Sequence, residues 1–233
     1  MAIEQLALEN ISKTFTQSTS QTTILRNVSY AFQTNLSYAI MGPSGVGKST
    51  LLHIISGIEK PDNGHVKINN QIINYHNFEQ RIAALHNNIG ILFQQPSLIN
   101  ELNVLENVML TALTHNKFEY EYQQRALELL KSINLEDKAY SSIYTLSGGQ
   151  QQRIALLRAI FHRPSFLIAD EPTGNLDKNS AHQIMDLLNL YQKQYAMGLI
   201  ISTHDIEIAK RCNIILNIEN QNLSATKNTD SGN

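Results

Sequence analysis

No run of apolar residues in this sequence approaches the ~20 needed to span a bilayer. The opening stretch, MAIEQLALENISKTF, lacks both the basic and the apolar part of a signal peptide, so a soluble chain working in the cytosol is expected. There is one cysteine, Cys212, which excludes an intramolecular disulfide and fits a reducing compartment. It lies in a helix-like stretch with no candidate base nearby in sequence, which points to a core or surface thiol rather than a nucleophile. Excess positive charge is missing too: 18 Lys and Arg against 20 Asp and Glu give a net charge of -2. That leaves no basic stripe for a phosphodiester backbone and no acidic tail, so nucleic acid is not the expected partner. Internal repeats and low-complexity linkers are likewise missing.

What is present is enough chain, 233 residues, to bury a substantial core. One α/β domain with an inserted subdomain fits best. Period-two alternation around Leu6 and Leu8, around Ile24 to Tyr30, and around Val66, Ile68 and Ile72 predicts short strands of an antiparallel sheet. Leu36 to Met41 reads as a buried strand running through a Gly-rich turn into an apolar helix, Lys48 to Ile58, with Asn35 placed for a left-handed turn. Pro61, Asp62, Asn63 and Gly64 form a strong turn signal. From about Leu102 the periodicity turns helical, with Ala126, Leu129, Leu130 and Ile133 on one face and Ile154, Leu157 and Phe161 on another. After Pro164 a compact strand, Phe166 to Ala169, is followed by a helix bearing Ile184, Leu187, Leu188, Tyr191 and Tyr195, and by another strand, Leu199 to Ser202. Such alternation predicts a mostly parallel sheet with ligands at the carboxyl ends of its strands. The expected division is a core of residues 1–93 and 164–220, a helical subdomain of 94–163, and a frayed polar tail of 221–233.

Gly42, Pro43, Ser44, Gly45, Val46, Gly47, Lys48 and Ser49 match GxxxxGK[ST] between an apolar strand and a helix, the context a phosphate-binding loop requires. The glycines let backbone N–H groups wrap around a β-phosphate, and the helix start adds positive potential. Lys48 is suited to bridge the β- and γ-phosphates and the Ser49 hydroxyl to ligate Mg²⁺. The segment Phe166 to Glu171 is an apolar strand ending in two carboxylates. Such residues are often merely solvated or act as helix caps. Beside a phosphate loop, Asp170 is suited to hold Mg²⁺ and Glu171 to accept a proton from, or orient, an attacking water. Leu146, Ser147, Gly148, Gly149 and Gln150 precede a helical run, Gln151 to His162. They read either as a capped helix, with Ser147 as the N-cap, or as a second anion site facing a phosphate held by another copy of the chain.

GPSGVGKST, LSGGQQQR, FLIADEPTGNLD and STHD, in this order, resemble the ATPase subunits of ABC transporters over nearly the whole chain. The resemblance implies a P-loop NTPase core with a mostly parallel sheet, an antiparallel β subdomain and an inserted α-helical subdomain. It also implies a head-to-tail homodimer in which each ATP is sandwiched between one copy's Gly42 to Thr50 and the other copy's Ser147, Gly148, Gly149 and Gln150. Weaker single residues gain roles the same way. Phe15 would stack on adenine, where an unaided reading makes it a strand core residue. Gln94, otherwise a polar loop group, would sense Mg²⁺ and the attacking water and link the site to a membrane partner. His204, otherwise a satisfied buried side chain, would hydrogen-bond the γ-phosphate. Asn175, Leu176 and Asp177, otherwise a plain turn, would cross the dimer interface and couple the two sites, with Asp177 at the nucleotide. Two departures are visible. Phe15 stands where the family often has tyrosine, and Asn35 where glycine is common.

The TGNLD form resembles the lipoprotein-releasing, macrolide-export and cell-division group, and the short stretch after His204 agrees. An ATPase serving amino-acid import is the alternative. A soluble ATPase acting on ribosomes or DNA is disfavoured, since this sequence shows neither the second ATPase half and basic linker of the former nor the long coiled coil of the latter, and no basic surface. The expectation is an ATP- and Mg²⁺-dependent ATPase, peripheral on the cytoplasmic face of the inner membrane, driving an integral permease that docks around Pro96 to Val104.

Overall fold

In the computed structural model, residues 4–17, 20–86, 88–113 and 120–225 are described. The chain runs β1 (Gln5–Gln17), β2 (Ser20–Gln33), β3 (Ser37–Met41), α1 (Lys48–Ile55), β4 (Asn63–Ile68), β5 (Gln71–Ile72), α2 (Phe78–His86) and β6 (Ile89–Leu92). Three helices follow, α3 (Val104–Val108), α4 (Leu110–Leu113) and α5 (Tyr120–Ser132), and then α6 (Gly148–Ile160). The chain closes with β7 (Phe166–Asp170), α7 (Lys178–Gln194), β8 (Gly198–Ser202), α8 (Ile206–Ala209), β9 (Ile214–Glu219) and β10 (Asn222–Ala225).

Strands β3, β6, β7, β8 and β9 are near-continuous apolar runs, as strands buried on both faces must be. They pair in parallel in the order β9-β3-β8-β7-β6, with β10 added antiparallel at the β9 edge. Alternate side chains serve two cores. Tyr38, Ile40, Phe166, Ile168 and Ile200 face α1 and the antiparallel sheet β2-β1-β4-β5, whereas Ala39, Leu167, Ala169, Leu199 and Ile201 face α3, α5, α6 and α7. Gly90 lets α6 lie directly on β6, since a Cβ there would stand 2.3 Å from the Ala159 carbonyl oxygen.

Asn35 has φ of 67°, the expected left-handed turn. Other expectations need correction. β1 and β2 are 13 and 14 residues long rather than short, carried past bulges by an extensive ladder. α1 ends at Ile55, not Ile58, because Gly57 at φ 71° cannot continue a helix. Asn63 and Gly64 belong to β4, with Gly64 packed against the backbone of Glu9 and Asn10, and only Pro61 and Asp62 turn. Cys212 sits in a tight turn after α8 rather than in a helix; it is buried, which pushes its thiol up to about 11. The polar end is not frayed at residue 221, since β10 pairs with β9 from Asn222 to Ala225. Residues 226–233 lie outside the described residues. No helix among the described residues is long and apolar enough to cross a membrane.

Candidate functional site

β3 delivers the chain into the loop at the carboxyl end of the parallel sheet, where β7 and β8 also end. Gly42, Gly45 and Gly47 have φ of 149°, 78° and 114°. Gly47 is doubly constrained, because a Cβ would come within 2.4 Å of Ile24 on β2. Lys48, buried, donates from Nζ to the carbonyls of Gly42 and Pro43 at 2.9 and 3.1 Å and lies 3.8 Å from Glu171 Oε1. Its ammonium is thus held inside the curve of the loop, where a phosphate chain would be met.

Behind the loop, Ser49 Oγ donates to Asp170 Oδ1 at 3.1 Å. Ser202, the strand partner of Asp170, donates to the same oxygen at 2.5 Å and accepts the Glu171 amide N–H at 2.9 Å. Glu171 itself has φ of 41°, a left-handed backbone that turns its carboxylate toward Lys48 and, at 3.3 Å, His204 Nδ1. A hydroxyl, one carboxylate and the Gln94 amide form a hard-oxygen set that suits Mg²⁺, which takes one or two carboxylates plus phosphate oxygens.

A cleft of about 530 Å³ gathers Phe15, Ser44, Gly45, Gly47, Lys48, Ser49, Thr50, Gln94 and Glu171, with Ile24 beside them. Phe15 is 41% exposed on this cleft, so the strand-core alternative fails, and Lys13 Nζ lies 5.2 Å from its ring centroid. His204 is 67% exposed in its side chain and is not the buried histidine of the other alternative. Gly42, Pro43 and Val46 shape the loop from outside the cleft, with the Val46 N–H donating to Pro43 O at 3.3 Å.

The second group lies elsewhere. Ser147 caps α6 in a full capping box: its Oγ accepts the Gln150 N–H at 3.3 Å, and Gln150 Oε1 accepts the Ser147 N–H at 2.9 Å. A Cβ on Gly149 would stand 3.0 Å from Ser180 Oγ, while Gly148 has open space in front of it. Asp177 caps α7 through Ser180, whose hydroxyl and N–H hold its carboxyl below the usual carboxylate range. Residues 147–150 and Asp177 therefore cluster at two neighbouring helix N-termini, and among the described residues none of them lines the cleft.

Three residues of the site went unassigned in the sequence, although each sits inside a quoted motif. Ser202 opens STHD and braces the Asp170–Glu171 pair. Gly174, in TGNLD, stands where a Cβ would be 3.2 Å from Gln94 Nε2 and 3.3 Å from Glu171 Oε2. Gln152, in LSGGQQQR, donates to the carbonyls of Phe93 and Pro172, both at 3.1 Å.

A sequence model of the ABC transporter family matches residues 25–174, the stretch holding the loop, the capped α6 and the carboxylate pair. The chain belongs to the ABC transporter family. As an ABC ATPase cassette it is the ATP-hydrolysing part of a transporter. It is 40% identical over 221 residues to the lipoprotein-releasing system ATP-binding protein LolD of Neorickettsia sennetsu, covering 94% of this chain and 97% of that one. It is 34% identical over 214 residues to LolD of Buchnera aphidicola subsp. Acyrthosiphon pisum, covering 92% and 94%. Among solved structures, the dimeric post-hydrolysis ATP-binding cassette MJ0796 bound to ADP and Pi superposes with a TM-score of 0.84 at 35% identity, covering 94% of this chain and 96% of that one. The P-loop NTPase fold, with its antiparallel β subdomain, is therefore this ABC cassette's own.

Proposed function

We propose that two copies of this ABC ATPase close head to tail on two MgATP molecules, hydrolyse them and reopen, each closure moving an integral membrane subunit of the lipoprotein-releasing kind. The observation that carries this reading is the separation of the two phosphate-seeking groups. The cleft holds Phe15, Lys48, Ser49, Gln94 and Glu171, while the capped N-terminus of α6, with Gly148 open in front, lies apart from it. The positive end of α6 favours an anion that this chain's own cleft does not bring to it, and the phosphates held by a second copy would supply one. The LolD relatives support the lipoprotein-releasing cargo, and the dimeric MJ0796 structure supports the pairing.

Within the cleft, Phe15 stacks on adenine and the loop amides from Gly42 to Thr50 hold the phosphates. Lys48 leaves its carbonyl partners for the β- and γ-oxygens. Glu171 takes the proton of the attacking water, with His204, at 3.3 Å, orienting the carboxylate and meeting the γ-phosphate. Ser49, Asp170 and Gln94 would hold Mg²⁺, which would supply charge neutralisation on the phosphates. Asp177 and its neighbours Asn175 and Leu176 cross to the other copy. The loop from Gln94 through Pro96 to Val104, on the 94–163 arm, meets the permease, and the ATPase is a peripheral subunit on the cytoplasmic face of the inner membrane.

The deciding experiment uses the Glu171→Gln chain. It should bind ATP, form a dimer detectable by light scattering, and turn over about 100-fold or more slower than the parent. Near-normal turnover would remove Glu171 from its role, and a monomer at saturating ATP would remove the sandwich. Affinity capture from membranes should recover an integral membrane protein of the lipoprotein-releasing kind; capture of an amino-acid permease would favour the importer alternative.

A further inference from the structure

Gln152 is 1% exposed, and a buried primary amide is costly unless its two N–H groups find acceptors. Both do, at long range in the chain. One goes to the carbonyl of Phe93 and one to that of Pro172, each at 3.1 Å. Phe93 immediately precedes Gln94, and Pro172 immediately follows Glu171. These acceptors lie just beyond the ends of β6 and β7, whose last registered pair is Leu92 with Ala169. Where the strand ladder stops, the amide of Gln152 spans the two diverging loops. The side chains carried by those loops converge in front of Gly174, where a single point lies 3.2 Å from Gln94 Nε2 and 3.3 Å from Glu171 Oε2.

We propose that Gln152 is a positioning residue for hydrolysis: from inside α6 it fixes the spacing between the loop bearing Gln94 and the loop bearing Glu171. It stands about a turn and a half of helix beyond Ser147, so a force applied to the capped end of α6 reaches both loops through one side chain. The same helix grips the continuation of the first loop, where Arg158 donates to the carbonyls of Pro96 and Ser97 at 2.7 and 2.8 Å. α6 thus joins the contact with the second copy, the water-activating pair and the docking loop as one rigid part. This inference rests on the roles given to Glu171 and Gln94 above.

The test is a pair of double-mutant cycles on the full chain, measuring MgATP turnover. Gln152→Met keeps the length and removes both donors. It should lower kcat about 10- to 100-fold, as expected for misplaced catalytic groups, and leave KM within about threefold. In the Glu171→Gln background the same change should cost less than about twofold, because the group it positions is already disabled. Equal factors in both backgrounds, or an unchanged kcat, would overturn the proposal. If Glu171→Gln alone proves near-normal, the Glu171 assignment falls. The Gln94→Ala cycle then decides the matter, with non-additivity supporting the proposal and simple multiplication overturning it. Should Gln152→Met fail to fold, Gln152→Glu keeps the shape. Protonated, it can donate to one carbonyl; ionised, it can donate to neither. Its kcat should fall with rising pH relative to the parent, and parallel pH profiles would count against the proposal.

Discussion

Ser202 and Asp170 are registered partners on β8 and β7, and the Ser202 hydroxyl donates to Asp170 Oδ1 at 2.5 Å. The same oxygen receives Ser49 at 3.1 Å, while Ser202 also accepts the Glu171 N–H at 2.9 Å. One fully buried hydroxyl therefore orients the Asp170 carboxylate, proposed to hold Mg²⁺, and the backbone of Glu171, proposed to activate the water, together. Ser202→Ala leaves that amide without its acceptor. The expected result is a stability loss of about 1–3 kcal/mol by denaturant titration, with a higher Mg²⁺ concentration for half-maximal turnover. An unchanged Mg²⁺ requirement would separate Ser202 from the metal.

Ser147→Arg places a long side chain at the α6 N-terminus and removes the cap, worth about 1 kcal/mol. The variant should bind ATP as a monomer in calorimetry and fail to form an ATP-driven dimer in light scattering. Dimerisation at parental ATP concentrations would refute the idea that this end of α6 meets the other copy's nucleotide.

Gly90→Ala tests the contact of α6 with β6. The added Cβ would face the Ala159 carbonyl at 2.3 Å and Pro164 Cγ at 2.9 Å, and backbone cannot yield as a flexible side chain can. A loss of about 1–3 kcal/mol is expected, seen as a thermal midpoint lower by several degrees. A midpoint equal to the parent's would show that α6 moves away at no cost.

His162 follows α6 and stacks on His86 with ring centroids 5.6 Å apart. Burial first, and then His86 and Arg125, hold its pKa down at about 4, against a raising contribution from the Ile89 backbone. The unfolded chain binds this proton more readily than the folded one. Stability is therefore full above the ordinary histidine value of 6.5 and is lost as pH falls from there through 4. The effect is on the order of 2 kcal/mol after allowing for partial solvent screening. His162→Gln should flatten the stability profile over that interval, and an unaltered slope would assign it to other groups.

The sequence exposed the nucleotide cleft readily, because its chemistry is local: a strand, a glycine-rich loop and a helix lie consecutively between Ser37 and Ile55. Phe15, Gln94 and His204 needed the family resemblance, since an aromatic on a strand, an amide in a loop and a histidine after a strand each have a commoner structural explanation. Gln152 and Ser202 stayed hidden for another reason. Their partners lie up to 59 residues away, and no periodicity marks a side chain whose purpose is to reach a distant carbonyl. Strand β10 escaped notice because it is held by backbone pairing with β9, and of its residues Leu223 alone is buried. The helix α2 carries no buried residue and so lacks the apolar stripe that would have declared it.

The left-handed backbone of Glu171, at φ 41°, sets durability against work at that one position. A side chain with a Cβ sits there at a penalty of roughly 1 kcal/mol that glycine would not incur. Glycine at position 171 would relieve that strain and would also remove the carboxylate proposed to activate the water. A glutamate held in so unfavourable a conformation is the local strain that the role proposed for Glu171 would require.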